Sequence, residues 1–270
     1  MNDFNYIGII PARYASTRFP GKPLAIIGDK PVIQHVFEQA SKALNTVIVA
    51  TDDNRIFDCV TAFGGRAVMT SPNHPCGTNR CWEAYEQVQI NKTCDVIVNI
   101  QGDEPFIQPE QIELLKRCFP ADIATLVKPY TEIDSIEALR NPNSPKVVVA
   151  NGHALYFSRS VIPYLRGVAE ENWLTESLRR GTPYYKHIGM YAYRAEILEQ
   201  IVHLPQSSLE LAESLEQLRW LEAGYNIRIA KSDTQTIGID TPDDLTRARE
   251  YWEENHKINI RKSQKHPHEE

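Results

Sequence analysis

The chain has 270 residues, of which 42% are hydrophobic and 24% charged, a globular balance that excludes a collagenous, wholly disordered or disulfide-knotted protein and suffices for one large α/β domain or two small ones. Its formal net charge of −6 speaks against a nucleic-acid polymer as partner, because neutralising a run of phosphates needs a basic face; a smaller anion has to be met by a local basic cluster. No apolar run reaches the roughly 18 residues of a membrane span, and the start, MNDFNYIGIIPAR, puts an acid before a short apolar run, so a cytoplasmic protein with no membrane span is expected.

In chain order, short apolar runs alternate with longer amphipathic stretches, the pattern of a sheet covered by crossover helices. Strands are expected at Tyr6 to Ile10, Thr46 to Ala50, Ala67 to Met69 and Asp95 to Ile100. Helices are expected between them at Val32 to Ala43, Asn54 to Phe63 and Asn79 to Ile90, bounded by Gly28-Asp29, Gly64-Gly65 and Pro72-Asn73. Further on, Ile123 to Val127 and Val147 to Val149 read as strands, and Asn151-Gly152 is a hairpin signal that would pair the latter with His153 to Phe157. A segment holding His187 and Tyr191 also reads as a strand. One helix is expected over Ser208 to Glu222, from Leu209, Ala212, Leu215, Leu218 and Leu221, then a strand near Asn226 to Ala230 and a last helix from Thr241-Pro242. There is no internal repeat and no long linker. Residues 1–255 therefore read as a single α/β domain, and 256–270, poor in apolar residues, as a solvated, disordered tail. The five cysteines are odd in number and lack C-x-x-C spacing, so core packing explains them better than disulfides. His74, Cys76 and Cys81 lack a fourth ligand at the spacing of a zinc motif.

Three segments have the composition of a reaction site. The first, Pro11-Ala-Arg-Tyr-Ala-Ser-Thr-Arg-Phe-Pro-Gly-Lys22, follows the first strand, where an open α/β sheet presents its ligand crevice. Arg13, Arg18 and Lys22 stand there with Ser16, Thr17 and Gly21 and no acid, a set suited to a triphosphate; a solvated basic loop is the plainer alternative. It is not a Walker A loop, since Ser16 and Pro23 stand where the first glycine and the Ser or Thr belong, and no G-x-G-x-x-G follows the strand. The second, VIVNIQGDEP, is an apolar strand ending in Gln101, Gly102, Asp103 and Glu104; a carboxylate there could hold magnesium on a nucleotide's phosphates, or Asp103 could cap a helix starting near Pro109. In the third, GIDTPDDL, Asp240 or Thr241 reads locally as an N-cap, and the pairing with Asp103 makes Asp240 a candidate second metal ligand.

With these residues in place, the chain resembles the 3-deoxy-manno-octulosonate cytidylyltransferase (CMP-Kdo synthetase) family from Ile9 to about Tyr251, in the blocks IIPARYASTRFPGKPL, VIVATDD, VNIQGDEP, ALYFSRSVIP, HIGMYAYR, LEQLRWLEAGYNIR and GIDTPDDL. The first block is shared with other nucleotidyltransferases, including CMP-sialic acid synthetases. The resemblance implies a Rossmann-like, glycosyltransferase-A-like α/β fold, with a mixed, mostly parallel central sheet flanked by helices and a dimerisation and sugar-binding region inserted in the second half. It implies transfer of CMP from CTP to the anomeric 2-hydroxyl of Kdo, with pyrophosphate released and CMP-Kdo supplied to lipopolysaccharide biosynthesis, and it implies a homodimer. Carried over by residue, Lys22, Arg13, Asp103 and Asp240 match catalytic positions and Asp103 and Asp240 the Mg2+ ligands. Ala12, Arg13, Arg18, Lys22, Gly77, Thr78 and Arg80 match CTP-binding positions; Gln101, Arg159, His187, Tyr191, Glu216 and Gln217 match the sugar-acid pocket. The chain departs from the family at Cys76 and Asn79, where a Ser and an acid are usual, so an 8-amino-Kdo substrate stands as the alternative, with sialic acid as another ulosonic acid and a non-catalytic nucleotide-binding module behind it.

Overall fold

A computed structural model describes residues 4–16, 18–88, 94–234 and 237–265, with side chains described through Asn255. In chain order the elements are strand β1 (Tyr6–Ala12), helix α1 (Val32–Ser41), β2 (Val47–Thr51), α2 (Asn54–Ala62), β3 (Ala67–Met69), α3 (Gly77–Val88), β4 (Val96–Asn99), α4 (Pro109–Lys116), β5 (Ile123–Pro129), α5 (Ile136–Arg140), β6 (Lys146–Ala150), β7 (His153–Ser158), α6 (Trp173–Arg179), β8 (Tyr185–Arg194), α7 (Ala195–Val202), α8 (Ser208–Glu213), α9 (Gln217–Glu222), β9 (Ile227–Lys231) and α10 (Pro242–Lys265). The expected strands fall on β1 to β7 and β9 to within two residues at either end. Ile90, at the expected end of the third helix, and Thr17 of the basic loop lie outside the described residues, as do 266–270 of the expected tail. Among the described residues no helix is long and apolar enough to cross a membrane.

Contacts group the chain into two compact units, one within Ile9–Val88, Gln101–Ile107 and Gln235–Glu270, the other within Met1–Gly8, Gln89–Ile100 and Gln108–Thr234. In the first, the strands lie in the order β3-β2-β1, and β2 and β3 run parallel with Val49 beside Ala67. All five residues of β2 are buried, as a strand covered on both faces requires. Helix α2 turns Ile56 and Val60 inward and is capped by Asp53, whose carboxylate accepts from Arg55 N. A second cluster of Ile27, Val32, Ile239, Leu245 and Ala248 fixes the start of α10 in this unit. The sheet thus brings the chain segments that follow β1 and β2 to its carboxyl edge, where ligands of such folds bind.

The other unit orders its strands β4-β8-β5-β9-β7-β6. Strands β5 and β9 are parallel, whereas β8 runs against β4 and β5, and β7 against β6 and β9, so the mixed sheet is weighted toward antiparallel pairing here. The β6–β7 pairing follows directly from the sequence: Asn151 (φ 50°) and Gly152 (φ 73°) supply the two positive dihedrals of a two-residue hairpin turn. The single helix expected over Ser208 to Glu222 is in fact two, α8 and α9. Ser214 adopts the left-handed conformation between them (φ 50°, ψ 48°), with its carbonyl accepting from Arg159 Nη2 at 3.1 Å. Continuous helical periodicity hid this break because the heptad-like leucines persist on both sides of it. An ion cluster, buried Arg219 with buried Glu210 (3.4 Å) and half-buried Glu216 (3.0 Å), ties the two helices together.

Candidate active site

The loop after β1 is closed at its base, where Gly21 N donates to Tyr14 O at 2.9 Å. The Arg55 guanidinium lies 3.3 Å from the centre of the Tyr14 ring and is held there by Asp53 through two hydrogen bonds of 2.9 and 2.6 Å. Arg13 and Arg18 are exposed on this loop, while the Lys22 side chain is only 15% accessible, because it points at carboxylates.

Lys22 Nζ donates to Asp103 Oδ2 at 2.5 Å and to Asp240 Oδ1 at 3.3 Å, and Arg18 Nη2 reaches the same Asp240 oxygen at 3.0 Å. Both capping alternatives for the acids are settled by who caps. Thr241 caps α10, donating from Oγ1 and N to Asp244 Oδ2 (2.9 and 2.8 Å) and accepting from Asp244 N (3.2 Å), which leaves the Asp240 carboxylate for the cations. At α4, Gln111 Oε1 accepts from Gln108 N at 2.9 Å, and Asp103 takes no part. Two carboxylates from segments 137 positions apart in sequence (240 − 103) therefore converge on one positive centre. Such a pair suits a hard divalent ion that completes its shell with water and phosphate oxygens, so magnesium fits the residues present.

These groups line a cleft of about 370 Å³ together with Ala12, Arg13, Ser16, His74, Cys76, Gly77, Arg80, Gln101 and Gly102. Of the nucleotide residues expected from sequence, Thr78 alone is absent from the lining; it is buried on the first turn of α3. Arg80 is 4% exposed and already committed: Nη1 donates to Thr70 Oγ1 at 2.6 Å and Nη2 to Asp52 Oδ2 at 2.8 Å. Asp52, the first acid of the TDD run after β2, is thus a positioning group that the motif blocks contained without revealing its partner. His74, weighed in the sequence only as a metal ligand, lines the cleft with its Nε2 on the Glu83 carboxylate, which also accepts from Ser71 N at 2.8 Å. The unusual pair Cys76 and Asn79 meet each other, Sγ to Oδ1 at 2.8 Å.

Gly102 is fixed by space. A Cβ there would lie 2.9 Å from the Pro11 carbonyl oxygen, so the turn into Asp103 abuts the end of β1. Gly102→Ala should displace Asp103 and lower kcat by about tenfold or more, with a stability loss of about 1–3 kcal/mol in urea unfolding; an unaltered kcat would show that the approach is not needed.

The remaining sugar-pocket candidates lie in the other unit. Along β8 the register slips between Ile188 and Tyr191, so that Leu126 and Thr125 on β5 face residues three apart. Regular strand geometry would hold the Cα atoms of His187 and Tyr191 about 13 Å apart; across the bulge their ring centroids lie 5.3 Å apart. Thr125 Oγ1 fills the bulge, donating to Met190 O at 2.8 Å and lying 3.2 Å from His187 Nε2. Tyr191 packs edge-on against Trp220 (5.1 Å), and burial together with Glu216 raises its phenol well above the usual range. Glu216 and Gln217 open α9. Arg159 Nε, Nη1 and Nη2 donate to the carbonyls of Glu213 (2.7 Å), Pro142 (2.8 Å) and Ser214 (3.1 Å), and the Arg159 carbonyl accepts from buried Lys146 at 2.6 Å. Gln101 belongs to the cleft of the first unit.

Burial pushes the His187 imidazole down to about 3. The unfolded chain takes up a proton near pH 6.5 that the folded chain refuses, so this group costs stability as pH falls from about 6.5 toward 3. The urea midpoint of the wild type should therefore drop more steeply between pH 6.5 and 4 than that of His187→Gln; parallel curves would contradict the assignment.

The cytidylyltransferase family model matches residues 7–229. The 3-deoxy-manno-octulosonate cytidylyltransferase of Phocaeicola vulgatus is 62% identical over 250 residues, spanning 91% of this chain and 96% of that one. The protein of the same name from Thermodesulfovibrio yellowstonii is 46% identical, spanning 88% and 94%. A solved CMP:2-keto-3-deoxy-manno-octonic acid synthetase in complex with CTP superposes with a TM-score of 0.82 at 41% identity, covering 93% of this chain and 99% of that one. A thymidylyltransferase structure from Bacillus anthracis, at 16% identity and a TM-score of 0.60, shares the nucleotidyltransferase fold. Extent, identity and fold agree with the cationic loop and paired acids, and the chain belongs to the 3-deoxy-manno-octulosonate cytidylyltransferase family.

Proposed function

We propose that the chain transfers CMP from CTP to the anomeric 2-hydroxyl of Kdo, releasing pyrophosphate. The observation that supports this most directly is the meeting of Arg18 and Lys22 with Asp103 and Asp240 in one cleft, a pairing of charges that suits a triphosphate and its metal. Arg13, Arg18 and Lys22 bind the phosphate oxygens, and Lys22, the most sheltered of the three, faces the charge that develops as the bond to pyrophosphate breaks. Asp103 and Asp240 hold Mg2+. That ion, when bound, supplies electrostatic stabilisation of the phosphoryl oxygens and acidifies the attacking hydroxyl. Ala12, Gly77 and Arg80 border the nucleotide, with Arg80 oriented by Asp52 and Thr70. Thr78 is buried on the first turn of α3, next to Gly77 of the lining.

On the sugar side, Arg159 meets the C1 carboxylate, and the Gln217 amide, the Tyr191 phenol, the neutral His187 and the Glu216 carboxylate bond hydroxyls of the acid; the Gln101 amide, the other sugar-binding candidate, lines the cleft of the first unit. The C2 hydroxyl attacks the α-phosphorus in line, and no side chain is needed as covalent carrier. The enzyme works in the cytoplasm as a homodimer and feeds lipopolysaccharide synthesis. A panel of Kdo, 8-amino-Kdo and sialic acid against CTP, UTP and ATP, followed as pyrophosphate release, tests the reading: Kdo with CTP should give the highest kcat/KM, and preference for another acid or nucleotide would overturn it.

A further inference from the structure

Resting on the reading of Asp103 and Asp240 as metal ligands, the geometry points to a second role for Lys22: it is the counter-ion that occupies the acid pair until the nucleotide arrives, so that metal and CTP enter as one linked event. Two carboxylates aimed at one point repel each other unless a cation stands between them. Among the described residues two cations meet these acids. Arg18 touches only Asp240, through side chains that are 59% and 48% accessible, where water screens the attraction. Lys22 touches both acids and is 15% accessible, so its ammonium supplies most of the compensation. Its charge is a compact point on a four-carbon stem, able to leave the carboxylates for a phosphate oxygen without a change of backbone.

A divalent ion arriving alone must displace this ammonium from both carboxylates and leave it without a partner in a sheltered position. Arriving with a triphosphate, the ion takes the carboxylates while the ammonium takes the phosphate, and every charge remains paired. Metal and nucleotide thereby each raise the other's affinity by the same factor. The device also holds both acids on one cation in the resting protein.

The test is Mn2+ binding to the full chain without nucleotide, followed by the electron paramagnetic resonance signal of free Mn2+. Lys22→Met should bind Mn2+ about tenfold or more tightly than wild type, Arg18→Met should change affinity by less than about threefold, and the gain should vanish in Lys22→Met combined with Asp103→Asn. Equal or weaker Mn2+ binding by Lys22→Met than by wild type overturns the inference. Lys22→Gln serves as the second variant, with thermal melting as the control for folding. The underlying metal reading fails separately: with CTP present, wild type should retain protein-bound Mn2+ that Asp103→Asn lacks, and identical binding by the two would remove the metal from these acids altogether.

Discussion

Asp103→Asn is expected to lower kcat about a thousandfold while the chain remains folded, because the proposed metal site loses a ligand and with it a stabilisation of several kcal/mol, and each 1.4 kcal/mol is tenfold in rate. The fold should persist because one tertiary hydrogen bond of this position runs through its backbone: Ile239 N donates to the Asp103 carbonyl at 2.9 Å, a contact that Asn retains. Asn also keeps an oxygen able to accept from Lys22, so the turn after β4 should not spread. The loss is one of charge. Raising magnesium should recover only a small part of the rate, and a kcat within tenfold of wild type at saturating magnesium would place the metal elsewhere.

Lys22→Met should lower kcat by a factor of about a hundred to a thousand, the range observed when one preorganised donor is removed from a site of developing charge. KM for Kdo should move by less than about threefold, since the ammonium faces the acid pair and the phosphate loop. A defect confined to the KM for Kdo would assign Lys22 to the sugar instead. The same substitution separates its two roles: turnover should fall while metal binding in the absence of nucleotide rises, opposite effects that general damage to the site does not produce.

Much of this site is legible in the amino-acid order because its residues cluster around strand ends. Three cations within ten positions after an apolar run, in an acidic chain, mark a candidate anion-binding loop before any fold is known, and Asp103 stands just beyond a strand, preceded only by apolar, amide and glycine residues. Asp240 is different, because locally it reads as an N-cap. Only the capping exchange between Thr241 and Asp244 frees it for the cations, and that exchange is written in the T-P-D-D order. Arg80 stands further from view. Its carboxylate partner is 28 positions upstream, and nothing in the composition of α3 says that the guanidinium turns inward to Asp52. The bulge in β8 had a signal, Gly189 within a strand-forming run. The break at Ser214 had none of the usual ones: no glycine or proline stands there, and the left-handed residue is stabilised by Arg159, 55 positions away. Helices α5, α6 and α7 escape the periodic reading because they are only five to eight residues long. The general lesson is physical. Strand ends and caps are local and can be read, whereas side chains recruited from distant segments need the sheet to bring them together.

The net charge of −6 belongs with this distinction. It averages over the whole surface and bears on a polymer of phosphates, yet it is silent about a cleft in which cations and acids alternate within hydrogen-bonding distance.

The most direct test of direct, metal-dependent CMP transfer is a quenched single-turnover reaction with CTP labelled at the α-phosphorus. With Kdo and magnesium, the label should pass into one sugar nucleotide while unlabelled pyrophosphate appears in equal amount, and chelation should stop both. Label retained on the protein as an intermediate, or transfer at an undiminished rate in the presence of a chelator, would contradict it.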